Sequence, residues 1–285
     1  MTLRSLVPVL GLLGAVATGA SAQTPSSPGF SLVLRGVDFS ACVEFLMDPA
    51  AAAKQVGDGY QAIPAGAFGA LSPILQREIQ GDTVHSRWVP AQLCVMEAPT
   101  ISAGGTVLTP ERKMGNREVI GYWAIAARRA GSGGPATTWY AVHRWTNDWH
   151  VERLAKPAYI PIKVFKRALT KVPESTRHRY EIKIGKTVLS WDGELTGRDS
   201  TATTATPGAD LIFTGMRDIE WNAATTTRPD WTRTLPGLFR VEGKDDLAKA
   251  LKGSPIRMFG PMYWGGDARM DFTRLGASGG GGTGR

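Results

Sequence analysis

The sequence predicts an α+β protein built mainly on antiparallel strands, a cone-like or barrel sheet enclosing a pocket, with a few short helices. Three observations predict it. Nine Trp and 34 Gly favour strands and tight turns over a helical bundle. Strand-like segments follow one another without regular helices between them, which argues against a parallel βαβ sheet. The chain is 42% hydrophobic and 20% charged over 285 residues, the ordinary globular range, with length enough to bury a core.

Ser31 to Val37 and Ala41 to Met47 read as strands. Asp48-Pro49 before a run of alanines fits a short helix, with Asp48 as cap and Pro49 in the first helical position. Ser72-Pro73 opens a second short helix. Ala91 to Glu97, Arg117 to Arg129 and Thr137 to Thr146 carry the β-branched and aromatic residues of strands. From His178 to Glu194, Tyr180, Ile182 and Ile184 alternate with Glu181 and Lys183 before Gly185-Lys186 turns the chain, a hairpin signature. Asp210 to Trp221 reads as one more strand and Lys244 to Lys252 as a short amphipathic helix.

Both ends are punctuated. Arg4, an apolar run from Leu6 to about Val16, and Ala20-Ser21-Ala22 make a secretory signal peptide over residues 1–22, cleaved near Ala22. About 11 apolar residues are too few to span roughly 30 Å of hydrocarbon, so stable membrane insertion is not expected. Residues 23–29 form a Pro- and Ser-rich linker, 30–275 a single β-rich domain, and 276–285 a disordered Gly-rich tail. The expected location is secreted or periplasmic. The formal net charge of +8 is spread along the chain; with export it points away from nucleic acid and toward anionic ligands or an anionic membrane surface. The two cysteines, Cys42 and Cys94, lie on apolar segments. In an oxidising compartment they point to one disulfide, two separate buried thiols being the alternative.

Most motif matches fail on context. Gly276-Ala277-Ser278-Gly279-Gly280 has the letters of a nucleophile elbow without its strand and helix. Gly131, Gly133 and Ala136 resemble a dinucleotide loop, but a strand follows where a helix is required. The four histidines lack metal-ligand spacing, so no metal is expected. Trp139 and Trp145 differ by an even number and share a face on a regular strand, more often as core than as a ligand platform.

The stretch from Glu152 to Lys171, ERLAKPAYIPIKVFKRALTK, is different. Pro157 and Pro161 bracket apolar residues around Lys163, with Lys166, Arg167 and Lys171 close by. Apolar neighbours and other cations both favour the neutral amine, which can attack a carbonyl. The ordinary reading of such a stretch is a half-buried element with a solvated basic face.

The order MDPAAAAKQVGDGYQAI, NREVIGYWAIAAR, AYIPIKVFKRAL and RYEIKIGKTVLSW resembles the acetoacetate decarboxylase-like superfamily, from about Phe30 to Trp191. The resemblance implies Lys163 as the Schiff-base lysine and Glu118 as the active-site glutamate, with Arg35 or Lys166 holding the substrate carboxylate. In place of the family's paired lysines this chain has Ile162-Lys163. The implied function is a cofactor-free carboxy-lyase acting on a small oxo acid, the iminium serving as electron sink. The alternative is an exported binding protein for a small apolar or anionic ligand. Whether Lys163 lies inward and desolvated or outward and solvated separates the two. The sequence fixes neither substrate nor oligomeric state.

Overall fold

The computed structural model describes residues 29–37, 39–108, 117–132, 137–164, 169–171, 177–194, 206–233, 237–259 and 263–275. The first half contains β1 (Phe30–Val37), β2 (Phe39–Met47), α1 (Pro49–Ala53), β3 (Tyr60–Ala62) and α2 (Pro73–Glu78). These lead into β4 (Val89–Ala98), β5 (Thr100–Ala103), β6 (Thr106–Leu108), β7 (Glu118–Arg129) and β8 (Trp139–Thr146). After α3 (Trp149–Ala155) come β9 (Lys163–Val164), β10 (Leu169–Lys171), β11 (Arg177–Ile184), β12 (Thr187–Glu194) and β13 (Thr206–Thr214). The chain ends with β14 (Glu220–Arg233), β15 (Gly237–Glu242), α4 (Asp246–Gly253), β16 (Arg257–Phe259) and β17 (Tyr263–Arg274).

The strands form a 13-stranded sheet and a four-stranded one. The large sheet follows the order β16-β2-β4-β7-β8-β13-β14-β17-β1-β5-β6, with β3 added to β7 and β9 to β8. As a hydrogen-bonded path it opens at β16 and ends at β6, so it is a coiled antiparallel sheet and not a closed barrel. The small sheet, β10-β11-β12-β15, holds the expected hairpin, with Ile184 opposite Thr187 across Gly185. Ile182, Ile184, Leu189 and Trp191 from the small sheet and Leu247 and Leu251 from α4 join Phe45, Trp123 and Trp145 in one buried cluster.

Local chemistry explains the short helices. Asp48 accepts from Ala51 N–H and Pro49 occupies the first turn of α1. Ser72 accepts from Leu75 N–H at the start of α2, and Asp245 accepts from Ala248 N–H at the start of α4. Cys42 and Cys94 lie opposite each other on β2 and β4 and are joined as a disulfide.

Three expectations need correction. The strand expected from Asp210 to Trp221 is two strands, because Arg217 and Asp218 take positive φ and turn the chain between β13 and β14. Although most pairing is antiparallel, β8 pairs in parallel with β13 and with β9, and α3 is the crossover between β8 and β9. Finally, Trp139 and Trp145 do not share a face. A bulge in β8 at Val142 sets Trp145 opposite Gly121 but Trp139 opposite Ala126, positions of odd and even parity on β7. The signal-peptide residues, the linker up to residue 28, the Gly-rich tail and Lys166 lie outside the described residues.

Candidate functional site

Edges of β8 carry different loads. One edge pairs with β7 from Ile120–Thr146 to Ala126–Trp139. The other is shared by two strands: β13 takes Trp139 and Tyr140, and β9 takes Trp145 and Thr146. Between them, Ala141 to Arg144 have no strand partner on that edge among the described residues. The bulge falls in this gap, so a break in the ladder and a break in side-chain alternation coincide.

Lys163 stands beside the gap, opposite Trp145 on the row Gly121–Trp145–Lys163. That row is tight. A Cβ on Gly121 would lie 2.5 Å from the Trp145 indole nitrogen and 2.7 Å from the Cys94 carbonyl oxygen, which only glycine avoids. Trp145 is buried, while the Lys163 side chain is exposed. No ion pair joins Lys163 to a carboxylate among the described residues.

His143 faces the same side, with its ring 5.7 Å from that of Trp123. Burial pushes its pKa below the ordinary 6.5, and the Lys163 and Arg144 cations push the same way. Asp246 and Asp245, at the start of α4, oppose them. His143 is thereby held neutral between two cations.

Arg144 stands opposite Tyr122, on the other side of β8 from His143 and Lys163, and its guanidinium reaches the gap. It is 7% exposed. Its Nε donates to the Pro161 carbonyl at 3.1 Å and its Nη1 to the Ala141 carbonyl at 3.0 Å, so the side chain satisfies backbone oxygens at the gap. The guanidinium lies 3.7 Å above the centre of the Phe213 ring. Burial lowers its pKa to about 9, which leaves it charged at neutral pH.

The residues named from sequence are distributed differently. Glu118 is 2% exposed at the start of β7, opposite Ala98 on β4. Strand alternation puts it with Ile120 and Tyr122, on the side opposite Gly121 and hence opposite Lys163. Arg35 is exposed on β1 and ion-paired with Asp267 at 2.5 Å. There it lines a separate surface groove of about 220 Å³ with Arg228 and Arg269. The structure therefore does not bring Arg35, Glu118 and Lys163 onto one face. His143 and Arg144 were missed by sequence reading, and their signal was weak: two basic residues inside a strand, with an alternation that only the bulge explains.

On the other side of the β2–β4–β7 ladder, Glu44 and Gln92 are directly opposed. Ser72 donates to Glu44, whose carboxyl is pushed above its ordinary value by burial, with the Ser72 bond acting against the shift. Tyr122 is buried there too; desolvation raises its pKa first, and the Glu44 charge adds to that. By register Glu118 and Arg144 lie on this side of the sheet too, and no ion pair joins Glu44 to a cation among the described residues.

No family profile and no curated protein sequence matches the chain. Solved structures do match in overall course. An acetoacetate decarboxylase-like enzyme from Sphingomonas wittichii RW1 is 10% identical, with 90% of this chain and 98% of that one covered at a TM-score of 0.47. Acetoacetate decarboxylase from Legionella pneumophila subsp. pneumophila str. Philadelphia 1 is 10% identical over 94% of this chain and 98% of its own, at 0.46. The enduracididine biosynthesis enzyme MppR, complexed with pyruvate, is 11% identical over 90% and 94%, at 0.46.

Proposed function

We propose that this is an exported protein that binds a small anionic ligand, such as a short oxo acid, at the basic group beside the β8 gap. The observation that supports the reading is the approach of Lys163 and His143 to the β8 gap from one side of the sheet and of Arg144 from the other, with no carboxylate ion-paired to any of them among the described residues. Such a group attracts an anion that no ion pair among the described residues supplies. Binding without chemistry is favoured because Lys163 is exposed, so burial does not strip its ammonium of water, and Glu118 faces the other way.

The second reading is a carboxy-lyase, and the neutral His143 beside Lys163 favours it. His143 would accept the ammonium proton, and the freed amine would add to the keto carbon with loss of water. For a 3-oxo acid, the bonding pair between the carboxylate and its neighbouring carbon would pass into the iminium as CO2 leaves. The enamine would be protonated at carbon, and water would hydrolyse the resulting iminium to release the ketone and the lysine amine. No cofactor is needed for this sequence of steps.

Borohydride reduction in the presence of acetoacetate or pyruvate, with peptide mapping, tests both. The expected result is calorimetric binding with no lysine adduct. An adduct on Lys163 that disappears in Lys163→Ala would put the lyase reading first. No heat and no adduct would remove both.

A further inference from the structure

We infer that the gap on the β8 edge between β9 and β13 is the seat of a ligand carboxylate, held by the Nη2 donors of Arg144, which have no partner among the described residues. This rests on the anion-binding reading above and says where the ligand sits and which of its groups is recognised. The argument starts from an unpaired charge. A buried guanidinium is costly unless an anion or several acceptors compensate it. Arg144 has two backbone carbonyls and the Phe213 ring, and no carboxylate, among the described residues. The two carbonyls engage Nε and Nη1 and leave Nη2 without a described partner.

The same contacts fix the plane of the fork. Pro161 comes from the segment leading into β9, Phe213 from β13 and Ala141 from β8 itself, so all three strands at the gap orient one guanidinium. A planar group with fixed donors suits a planar carboxylate better than it suits a spherical halide. Lysine in its place would present a point charge without that orientation.

His143 adds a signature. It is next to Arg144 in sequence and faces Lys163 from β9, Trp123 from β7, and Asp245 and Asp246 from α4. Protonated, it brings further positive charge to the gap. Carboxylate affinity should therefore rise as pH falls through the titration of His143, and a bound carboxylate should in turn ease that protonation.

The test uses the full mature chain with pyruvate, acetate and chloride as probes. In two-dimensional NMR, the Arg144 Nε–H resonance, assigned by its loss in Arg144→Lys, should shift with pyruvate and acetate and stay still with chloride. Calorimetry should show pyruvate affinity reduced roughly tenfold in Arg144→Lys, the equivalent of one pKa unit of interaction. Wild-type affinity should increase as pH falls below 6.5, and His143→Asn should flatten that slope. If Arg144→Gln or Arg144→Lys melts early, the wild-type resonance still decides. Pyruvate binding with an unmoved Arg144 signal would overturn the carboxylate seat and leave the anion-binding reading standing. An equal response to chloride would also overturn it. No binding of any probe would remove the reading beneath it as well.

Discussion

Along β4 every residue from Val89 to Ala98 is buried, whereas on β8 the burial breaks at Val142 and His143. β4 has a full-length partner on each edge at its middle, β2 and β7, and a disulfide to β2. On one edge β8 has a full partner, but on the other only the ends of two parallel strands. Both strands lie in one sheet and are rich in apolar residues. What differs is whether backbone hydrogen bonds are completed by strands or by a side chain. Where strands complete them, side chains have only packing left to do. Where Arg144 completes them, a charge must enter the sheet, and that charge is available to a ligand.

Substitutions separate the two regions. Trp145→Ala, which empties a site at the boundary between them, should cost about 3–5 kcal/mol; urea unfolding would show it, and a loss under about 1 kcal/mol would mean Trp145 is not core. Removing the Cys42–Cys94 bridge in the double alanine variant should cost roughly 2–4 kcal/mol, since the bridge closes a long loop. That loss should leave anion binding intact at temperatures where the variant stays folded. An equal loss of binding would couple the two regions. Ser72→Ala removes the α2 cap and the donor to Glu44, and should lower stability by about 1 kcal/mol.

The smallest expected effects are opposite in sign. Glu44 has a folded pKa above its ordinary 4.5, so the native state retains the proton, and this group's contribution is lost as pH rises through the raised value. His143 has a folded pKa below its ordinary 6.5, so its contribution is lost as pH falls below 6.5. Thermal melts across pH should therefore show Glu44→Gln gaining on wild type toward high pH and His143→Asn gaining toward low pH. Parallel curves for both variants would contradict the assigned environments.

Much of the sheet was legible because its strands are periodic and its turns glycine-marked. The 178–194 hairpin and the cap of α1 follow from local chemistry, and the cysteines from even count and compartment. The β13–β14 turn was hidden because Arg217 and Asp218 adopt a conformation usually left to glycine or asparagine. α3 was hidden although Asp148 caps it, since Trp149 and Val151 in its first turn are strand-favouring residues that continue the pattern of β8. At the candidate site, Lys163 was visible as a cation among apolar neighbours. His143 and Arg144 were not, because a bulge changes which side a residue faces while leaving composition untouched. The grouping of Arg35 and Glu118 with Lys163 came from resemblance, and the register of this sheet gives no support to a shared face.

The bridge between Cys42 and Cys94 has a topological consequence. Everything from Val43 to Leu93, including α1, β3 and α2, belongs to a covalently closed ring. A protease that cuts once inside that ring, for example near the exposed Val84, opens a link without releasing a piece. The nicked protein should run as one species until a reductant is added and then as two. This segment can be cut while both of its ends remain fastened to the sheet.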